Sequence, residues 1–205
     1  MNGGYDDGYR ECACFWGTEP ASYVRLLHGK IPTFSGMNIL DIGCGEGKNA
    51  VFLATQGARV DAIDISPLAI SNGRRRWPDV VGVRWQIGDA LTIVLRDQHY
   101  DVVIAYGLLH CLDNTAEIGC VVDKLKRATR PSGYLVLCAF NDRMQDLTAH
   151  PGFHPCLLSH ADYMRFLNGW EIIAESDSDL TERHPHNNIE HTHSLTRILA
   201  RKARP

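Results

Sequence analysis

The sequence contains no hydrophobic run that approaches the roughly 18 residues needed to cross a lipid bilayer. Its longest apolar runs, over residues 102–105 and 134–140, have the length of buried strands. It also has no excess of basic charge, since 21 Lys and Arg residues against 24 Asp and Glu residues leave a net charge of −3. A strongly basic nucleic-acid-binding protein is therefore disfavoured. The N-terminus has neither a basic start nor an apolar core, so we expect no signal peptide and no membrane partner.

The cysteines do not form a disulfide framework. They are seven, an odd number, and several lie within apolar runs, as Cys120 and Cys138 do. This usage is typical of a reduced protein, so we expect a cytoplasmic location. Cys12 and Cys14 are too close in sequence for a zinc knuckle, and we predict no metal site.

No internal repeat, low-complexity tract or linker interrupts the chain. Short β-branched runs alternate with helical stretches, which is typical of an α/β domain with a mostly parallel sheet. The runs predict strands over 38–42, 59–63, 83–87, 101–106, 134–140, 170–174 and 195–200. Helices are expected over 48–56, from Ser66 to about Trp77, from Asn114 to about 129, and over 159–168, with a long loop over 141–158.

The strongest functional signal is the run 39–47, where a buried strand leads directly into Gly43-Cys44-Gly45-Glu46-Gly47 and then a helix. Glycines there permit positive φ and let a ligand approach the backbone closely. The free N–H groups of the following helix favour a carboxylate or phosphate, and the ligand is expected at the carboxyl ends of the strands. The spacing differs from the dinucleotide fingerprint G-x-G-x-x-G, because Lys48 stands where its last glycine would be.

Acidic residues accompany the ends of the first three strands. Asp41 precedes the glycine turn, and Asp64 follows the second strand, where a carboxylate can accept hydrogen bonds from both hydroxyls of a ribose. Asp89 and Ala90 follow the third strand, in the right place to meet the edge of an adenine.

Together with Tyr100-Asp101-Val102-Val103, these motifs resemble the class I S-adenosylmethionine-dependent methyltransferases over about residues 35–140. The resemblance implies S-adenosylmethionine as cofactor and S-adenosylhomocysteine as product. It implies that residues 43–47 wrap the methionine part, that Asp64 holds the ribose, and that Ile65 packs on the adenine. The implied cofactor-binding residues are Asp41, Gly43, Cys44, Gly45, Gly47, Asn49, Asp64, Ile65, Asp89, Ala90 and Tyr106.

The same resemblance implies a fold and a domain plan. The expected fold is α/β, a Rossmann-like seven-stranded mostly parallel sheet with helices on both faces and an antiparallel C-terminal hairpin. Residues 1–205 are expected to form a single methyltransferase domain. Within it we expect an N-terminal cap region (1–34), a cofactor-binding core (35–140), and an acceptor loop with the hairpin (141–205).

A further likeness concerns the acceptor. Gly47-Lys48-Asn49, the front end Phe15-Trp16-Gly17, and the ending over 193–202 are similar to the TehB-like tellurite-resistance and thiopurine methyltransferases. This implies a small-molecule acceptor, with thiol, selenite and tellurite species as candidates. The alternatives are an O- or N-methyltransferase of a small metabolite and a non-catalytic S-adenosylmethionine-binding module. A nucleic-acid acceptor is disfavoured by the slightly acidic charge.

Three residues are candidates for contact with the acceptor. His110 lies just beyond the fourth strand and is either a general base, which a hydroxyl acceptor would need, or a positioning or structural group. Tyr106 shapes the cofactor or acceptor pocket, or is a plain core aromatic. His193 is expected to line the acceptor cleft.

Two further groups of residues admit alternatives. Tyr5, Tyr9 and Trp16 are either an N-terminal lid over the cofactor or ordinary surface packing. Four histidines crowd the C-terminal segment, and a solvated turn is the favoured interpretation over a metal site. These four are His184, His186, His191 and His193.

Overall fold

The computed structural model describes residues 5–184 and 187–204, and in that part seven strands form one sheet. The strands are β1 (Asn38–Ile42), β2 (Arg59–Asp64), β3 (Val83–Ile87), β4 (Tyr100–Tyr106), β5 (Thr129–Gln145), β6 (Glu171–Arg183) and β7 (Glu190–Arg201). The helices are α1 (Asp6–Glu11), α2 (Ser22–His28), α3 (Lys48–Thr55), α4 (Pro67–Arg76), α5 (Thr115–Ala128) and α6 (His160–Phe166), with one 3-10 turn at Leu109–Cys111. Within these residues no helix combines the length and apolar character that a membrane span requires.

The sheet has the order β3-β2-β1-β4-β5-β7-β6. β1 is parallel to β2 and β4, and β7 is antiparallel to both β5 and β6. β2 and β3 follow β1 on one side of the sheet, whereas β4 lies on the other side of β1 and the later strands follow beyond it. The direction of the strand order therefore reverses between β1 and β4. A crevice at such a switch point is where open α/β sheets bind ligands. The predicted fold is confirmed.

The core lies on both faces of the sheet, and β4 shows how the sequence produces it. Its residues Val102, Val103 and Ile104 are fully buried. Because side chains alternate along a strand, Val103 packs with the apolar face of α5, whereas Val102 and Ile104 pack on the side of α2 and α3. The apolar residues of α5 recur at helical spacing and form one buried stripe: Ile118, Val121, Val122, Leu125 and Ala128 have no exposed surface.

Local signals set the helix starts. The Ser66 hydroxyl accepts a hydrogen bond from the Ala69 N–H at 3.1 Å, with Pro67 in the first turn of α4. At α5 the Asn114 side chain accepts from the Glu117 N–H. The Glu117 carboxylate accepts from the N–H of the residue before Asn114, so the reciprocal contact is displaced by one residue from a regular capping box.

The last third of the chain contains more strand than the sequence predicts. α5 ends at Ala128, close to the predicted end near 129. β5 then begins at Thr129, before the predicted strand start at 134, and continues to Gln145, so the loop begins after 145 instead of at 141. Gln145 fixes this extension, because its side-chain amide donates to the carbonyls of Asn141 and Ser194. The polar stretch after residue 174 also forms strand as far as Arg183. It belongs to β6, which lies at the edge of the sheet. Along β6 exposed side chains alternate with partly buried ones, so the sequence contains few apolar residues that would indicate a strand.

Candidate active site

A cavity of about 220 Å³ lies at the carboxyl ends of β1 to β4. The structure brings most of the predicted residues together around it. These are Gly43, Cys44, Gly45, Gly47, Asn49, Asp64, Ile65, Asp89, Ala90, Tyr106 and His110, with the predicted cap residues Tyr5, Tyr9 and Trp16. Asp41 and His193 were expected among them but do not line the cavity.

The glycine loop forms one wall of this cavity. Gly43, Gly45 and Gly47 all have positive φ, at 69°, 55° and 85°. Gly47 has no room for a side chain, because a Cβ there would lie 2.1 Å from Cη2 of Trp85. Since Gly47 also caps the start of α3, the loop presents bare backbone to the cavity at a helix N-terminus.

Asp64 joins the loop to the end of β2. One carboxylate oxygen accepts from the Gly45 N–H at 2.7 Å and the other from the Ser66 N–H at 2.9 Å. Burial raises the pKa of Asp64, and these backbone bonds oppose that rise. Each oxygen keeps further acceptor capacity, and the residue lines the cavity, so a ligand diol fits at this place.

Asp41 lies behind the loop rather than in the cavity. It is 1% exposed, and neither carboxylate oxygen makes a well-formed hydrogen bond within the described ranges. Burial raises its pKa to about 7, and the backbone N–H of Ala50 in α3 opposes the rise. This position corrects the expectation of direct cofactor contact and makes Asp41 a support for the loop.

The cavity wall after β2 and β3 offers an exposed apolar side chain and a fixed carboxylate. Ile65 is 36% exposed, an unusual degree for an isoleucine beside a buried strand end, and offers an apolar surface. One carboxylate oxygen of Asp89 accepts from the Leu91 N–H at 2.8 Å, which fixes the side chain at the cavity wall.

An N-terminal cap, residues 5–21, is fastened to the glycine loop and the start of α3. The buried carboxylate of Glu46 accepts from the Cys14 N–H at 3.1 Å and the Phe15 N–H at 2.6 Å. The Lys48 ammonium donates to the Trp16 carbonyl, and the Asn49 side-chain carbonyl accepts from the Ala21 N–H, each at 2.8 Å. The sequence places Glu46 in the glycine motif, but nothing in it indicates partners some 30 positions earlier in the chain.

The aromatic residues of the cap face the cavity, as the lid interpretation requires. The Trp16 indole N–H donates to the Tyr9 hydroxyl at 3.2 Å, and that hydroxyl lies 3.0 Å from where a Cβ on Gly45 would sit. Tyr5 packs edge-on against Trp16, with ring centroids 5.1 Å apart. From α4, the Asn72 side-chain amide donates to the Tyr9 carbonyl. Burial raises the pKa of Tyr5 and Tyr9, so both stay neutral phenols.

Removing the Glu46 carboxylate should release the cap. Glu46→Ala leaves the buried N–H groups of Cys14 and Phe15 without their acceptor, at a cost of about 2 kcal/mol. We expect faster hydrogen exchange and faster proteolysis over residues 5–17, with the sheet protected as before. Glu19→Ala, an exposed position in the same segment, is the matched control. Equal protection of the cap in both variants would contradict this role of Glu46.

The part of the cavity near the C-terminal hairpin is mostly apolar, and several of its residues were not predicted. They are Cys111, Cys138, Phe140, Leu180, Glu182 and Leu195. All of these except Cys111 lie on β6, on β7 or on the part of β5 that pairs with β7, and their approach to β4 depends on the hairpin. The fold alone could indicate them, because the sequence gives no motif at these positions.

His110 is buried at this end and held in one orientation. Its Nδ1 accepts the Phe140 N–H at 3.2 Å, so the neutral ring carries its proton on Nε2. Burial lowers the pKa of His110 to about 3. Nε2 has no hydrogen-bond partner in the described part of the chain. A ring already protonated on Nε2 is a hydrogen-bond donor there, which argues against the general-base interpretation.

His193 supports this arrangement from outside the cavity. The Phe140 ring lies between the rings of His110 and His193, with centroid distances of 4.0 and 4.1 Å. The Nδ1 of His193 lies 2.8 Å from the Gln145 side-chain carbonyl oxygen. Its expected place in the acceptor cleft is therefore corrected to a position behind Phe140.

The C-terminal histidines are not a solvated turn. His184, His191 and His193 are all buried, with at most 2% of their surface exposed. His191 and His193 lie in β7, on the side of the hairpin that faces the body of the protein. The interpretation as a solvated turn is wrong for these three, and His186 lies outside the described residues.

Comparison with known proteins agrees with this fold. Residues 39–133 match the family model described as a methyltransferase domain. A curated relative from Tropheryma whipplei (strain Twist), named demethylmenaquinone methyltransferase, is 29% identical over 123 residues, which are 60% of this chain and 50% of that protein. One of the same name from Mycobacterium sp. (strain KMS) is 36% identical over 107 residues, which are 52% of this chain and 43% of that protein. The chain thus spans about half the length of these relatives.

Two solved structures extend the likeness to almost the whole chain. One, determined in work on the conversion of a disulfide bond into a thioacetal group during echinomycin biosynthesis, is 26% identical with a TM-score of 0.75 and covers 99% of this chain and 92% of its own. TehB from Haemophilus influenzae is 18% identical with a TM-score of 0.74 and covers 89% of this chain and 62% of its own, which shows a shared fold.

The fold, the glycine loop and these matches show a Rossmann-like methyltransferase fold and a resemblance to the class I S-adenosylmethionine-dependent methyltransferases. The fold is also similar to that of TehB, so the predicted resemblance is confirmed. Members of this class use S-adenosylmethionine, and the residues present fit it: positive-φ glycines, a buried carboxylate and an exposed apolar wall surround one cavity.

Proposed function

We propose that this chain transfers a methyl group from S-adenosylmethionine to a small acceptor with a soft nucleophile, a thiol or a related chalcogen species. The observation that carries the proposal is the state of His110. Its Nδ1 lone pair is occupied by the Phe140 N–H, so the ring offers a donor and no base to an acceptor. A thiolate or chalcogen oxyanion needs no base at neutral pH, whereas a hydroxyl does.

The cofactor is assigned to the glycine loop, Asp64, Ile65 and Asp89. Bound there, S-adenosylmethionine supplies an electrophilic methyl group on a sulfonium. Asp64 would hold the ribose hydroxyls, and Asp89 with Ala90 would meet the adenine. The cap residues Tyr9 and Trp16 exclude water from the loop side, where the cavity wall is bare backbone.

Alignment of donor and acceptor is the main task of such a site. Transfer between sulfur atoms neutralises charge in the transition state, and orientation alone can supply about 7–11 kcal/mol. The His110 imidazole is fixed by its bond to the Phe140 backbone and by stacking on the Phe140 ring. The apolar walls from Leu180 and Leu195 favour an acceptor with an organic body. A sulfur substrate also agrees with the disulfide chemistry stated for the structural neighbour of 26% identity.

The test is an acceptor panel read by S-adenosylhomocysteine formation. It contains small thiols, selenite, tellurite, a catechol, a primary amine and a demethylated menaquinone analogue, the last because of the names of the curated relatives. We expect turnover with the thiol or chalcogen members. Turnover confined to the catechol, the amine or the quinone contradicts the soft-acceptor proposal, and cofactor binding without any turnover favours the non-catalytic module.

Variants of His110 separate a donor from a base. With the best soft acceptor, we expect His110→Asn, which keeps an N–H donor, to retain kcat within about 3-fold, and His110→Ala to lose less than about 10-fold. A general base would cost about 100- to 10000-fold in both. His99→Ala removes a half-buried histidine that precedes β4, at the strand end opposite to the cavity, and controls for general effects. A 100-fold loss in both His110 variants with thermal stability intact would overturn the assignment.

A further inference from the structure

Three buried histidines from three different segments converge beneath the cap. His150 follows β5, His184 follows β6, and His191 lies in β7. The Nε2 atom of His150 lies 3.2 Å from Nε2 of His184 and 3.3 Å from Nε2 of His191. One ligand atom from each residue falls within 4.8 Å of the others. The sequence separates these residues by as many as 41 positions, so only the fold assembles them.

The spacing of these nitrogens matches the edge of a metal coordination polyhedron. Four ligands at about 2.0–2.1 Å around a tetrahedral zinc ion are separated from one another by about 3.3–3.4 Å. Two of the three edges of the histidine set have almost this length. Neutral imidazole nitrogen is a preferred ligand of zinc and the neighbouring divalent transition metals.

The surroundings of His191 add a second, independent feature. Its Nδ1 lies 2.9 Å from the Ile189 backbone carbonyl, so Nδ1 carries the proton and the Nε2 lone pair faces the other two rings. Metal-ligating histidines are commonly oriented by such a bond from the other ring nitrogen. Glu182, the cross-strand partner of His191, places a carboxylate oxygen 3.9 Å from the same Nε2. This carboxylate therefore lies beside the histidine cluster, and it also lines the cavity.

We propose that His150, His184 and His191 bind one divalent transition-metal ion of the zinc type. The ion ties the loop after β5 to the β6–β7 hairpin. It also lies under the cap, because the Phe15 ring stacks on His184 at 4.8 Å and Tyr5 packs edge-on against His150 at 6.1 Å. The proposal replaces the expectation of no metal site, which treated the C-terminal histidines as exposed. It is independent of the identity of the methyl acceptor.

The experiment uses the full chain, stripped with a chelator and titrated with Zn²⁺ against a chromophoric competitor. We expect one ion per chain, a rise in the thermal midpoint on binding, and, with Co²⁺ in place of Zn²⁺, the visible absorption of a four- or five-coordinate ion. His150→Ala and His191→Gln should each weaken Zn²⁺ binding by about 100-fold or more and abolish the rise in the thermal midpoint. His191→Gln keeps much of the side-chain volume and guards against simple loss of folding.

The control is His154→Ala, which removes an exposed histidine from the same loop. It should bind Zn²⁺ as the natural chain does. The proposal is overturned if the natural chain takes up no stoichiometric Zn²⁺ at micromolar metal, or if His154→Ala weakens binding as much as the two cluster variants do. If the folded variants His191→Gln and His150→Ala both keep the Zn²⁺ affinity of the natural chain, the ion binds at another site and the proposal is also overturned.

Discussion

Asp64→Ala is expected to reduce the affinity for S-adenosylmethionine by about 100-fold or more. The variant removes the carboxylate assigned to two ribose hydroxyls, and hydrogen bonds to a charged acceptor contribute about 1.5–3 kcal/mol each. It also removes the acceptor of the Gly45 N–H, a bond of 2.7 Å that fixes the glycine loop. Calorimetric titration of the natural chain and the variant measures the difference.

Two companions make the Asp64 result specific. Asp64→Asn keeps an acceptor for one backbone N–H and should lose less affinity than Asp64→Ala. Asp79→Ala removes an exposed carboxylate just after α4 and should bind like the natural chain. If the affinity of Asp64→Ala is unchanged and its thermal midpoint shows a folded protein, the proposal that the cofactor binds at the end of β2 is contradicted.

Gly47→Ala is expected to destabilise the protein by about 3 kcal/mol and to abolish cofactor binding. The new Cβ would lie 2.1 Å from Cη2 and 2.5 Å from Cζ3 of Trp85, at a backbone φ of +85°. The left-handed conformation costs about 1–2 kcal/mol for a residue with a Cβ, and overpacking costs a further 1–3 kcal/mol. Denaturant unfolding gives the stability change.

Gly169→Ala separates the two costs. Gly169 has nearly the same φ, +82°, but no atom within 4 Å of the place its Cβ would take. It should therefore show the backbone cost alone. Adding Trp85→Leu to Gly47→Ala should restore part of the lost stability by removing the clash. If the free energy of unfolding falls no more in Gly47→Ala than in Gly169→Ala, the clash with Trp85 does not contribute to the loss of stability.

The glycine-loop half of the cavity could be predicted from the sequence because its determinants are local. A strand, a glycine-rich turn and a helix follow one another within residues 38–55, and each needs only its own neighbours to form. Asp64 and Asp89, at the ends of β2 and β3, are likewise positioned by the strands that directly precede them. Positive φ at Gly43, Gly45 and Gly47, and the place of Asp64 beside them, agree with what the motif predicts.

The half of the cavity near the C-terminal hairpin could not be predicted from the sequence, because its residues come together only through long-range strand pairing. β6 carries alternating polar residues such as Glu182, and their pattern resembles a loop until β7 pairs with them. His191 and His193 look like solvated residues in sequence, yet the hairpin turns them inward. The prediction that Asp41 contacts the cofactor differs from the structure for another reason. The local motif placed Asp41 correctly on β1, but its side chain faces α3, behind the glycine loop.

The attachment of the cap to the glycine loop also has a kinetic consequence. Glu46, Lys48 and Asn49 hold the cap through side chains that flank or adjoin the backbone assigned to the cofactor. With the cofactor bound at the proposed site, exchange of spent for fresh cofactor would require opening of residues 5–21, and the lifetime of the closed cap would set an upper limit on turnover. By reciprocity, the factor by which the closed cap tightens the cofactor equals the factor by which the cofactor favours closure.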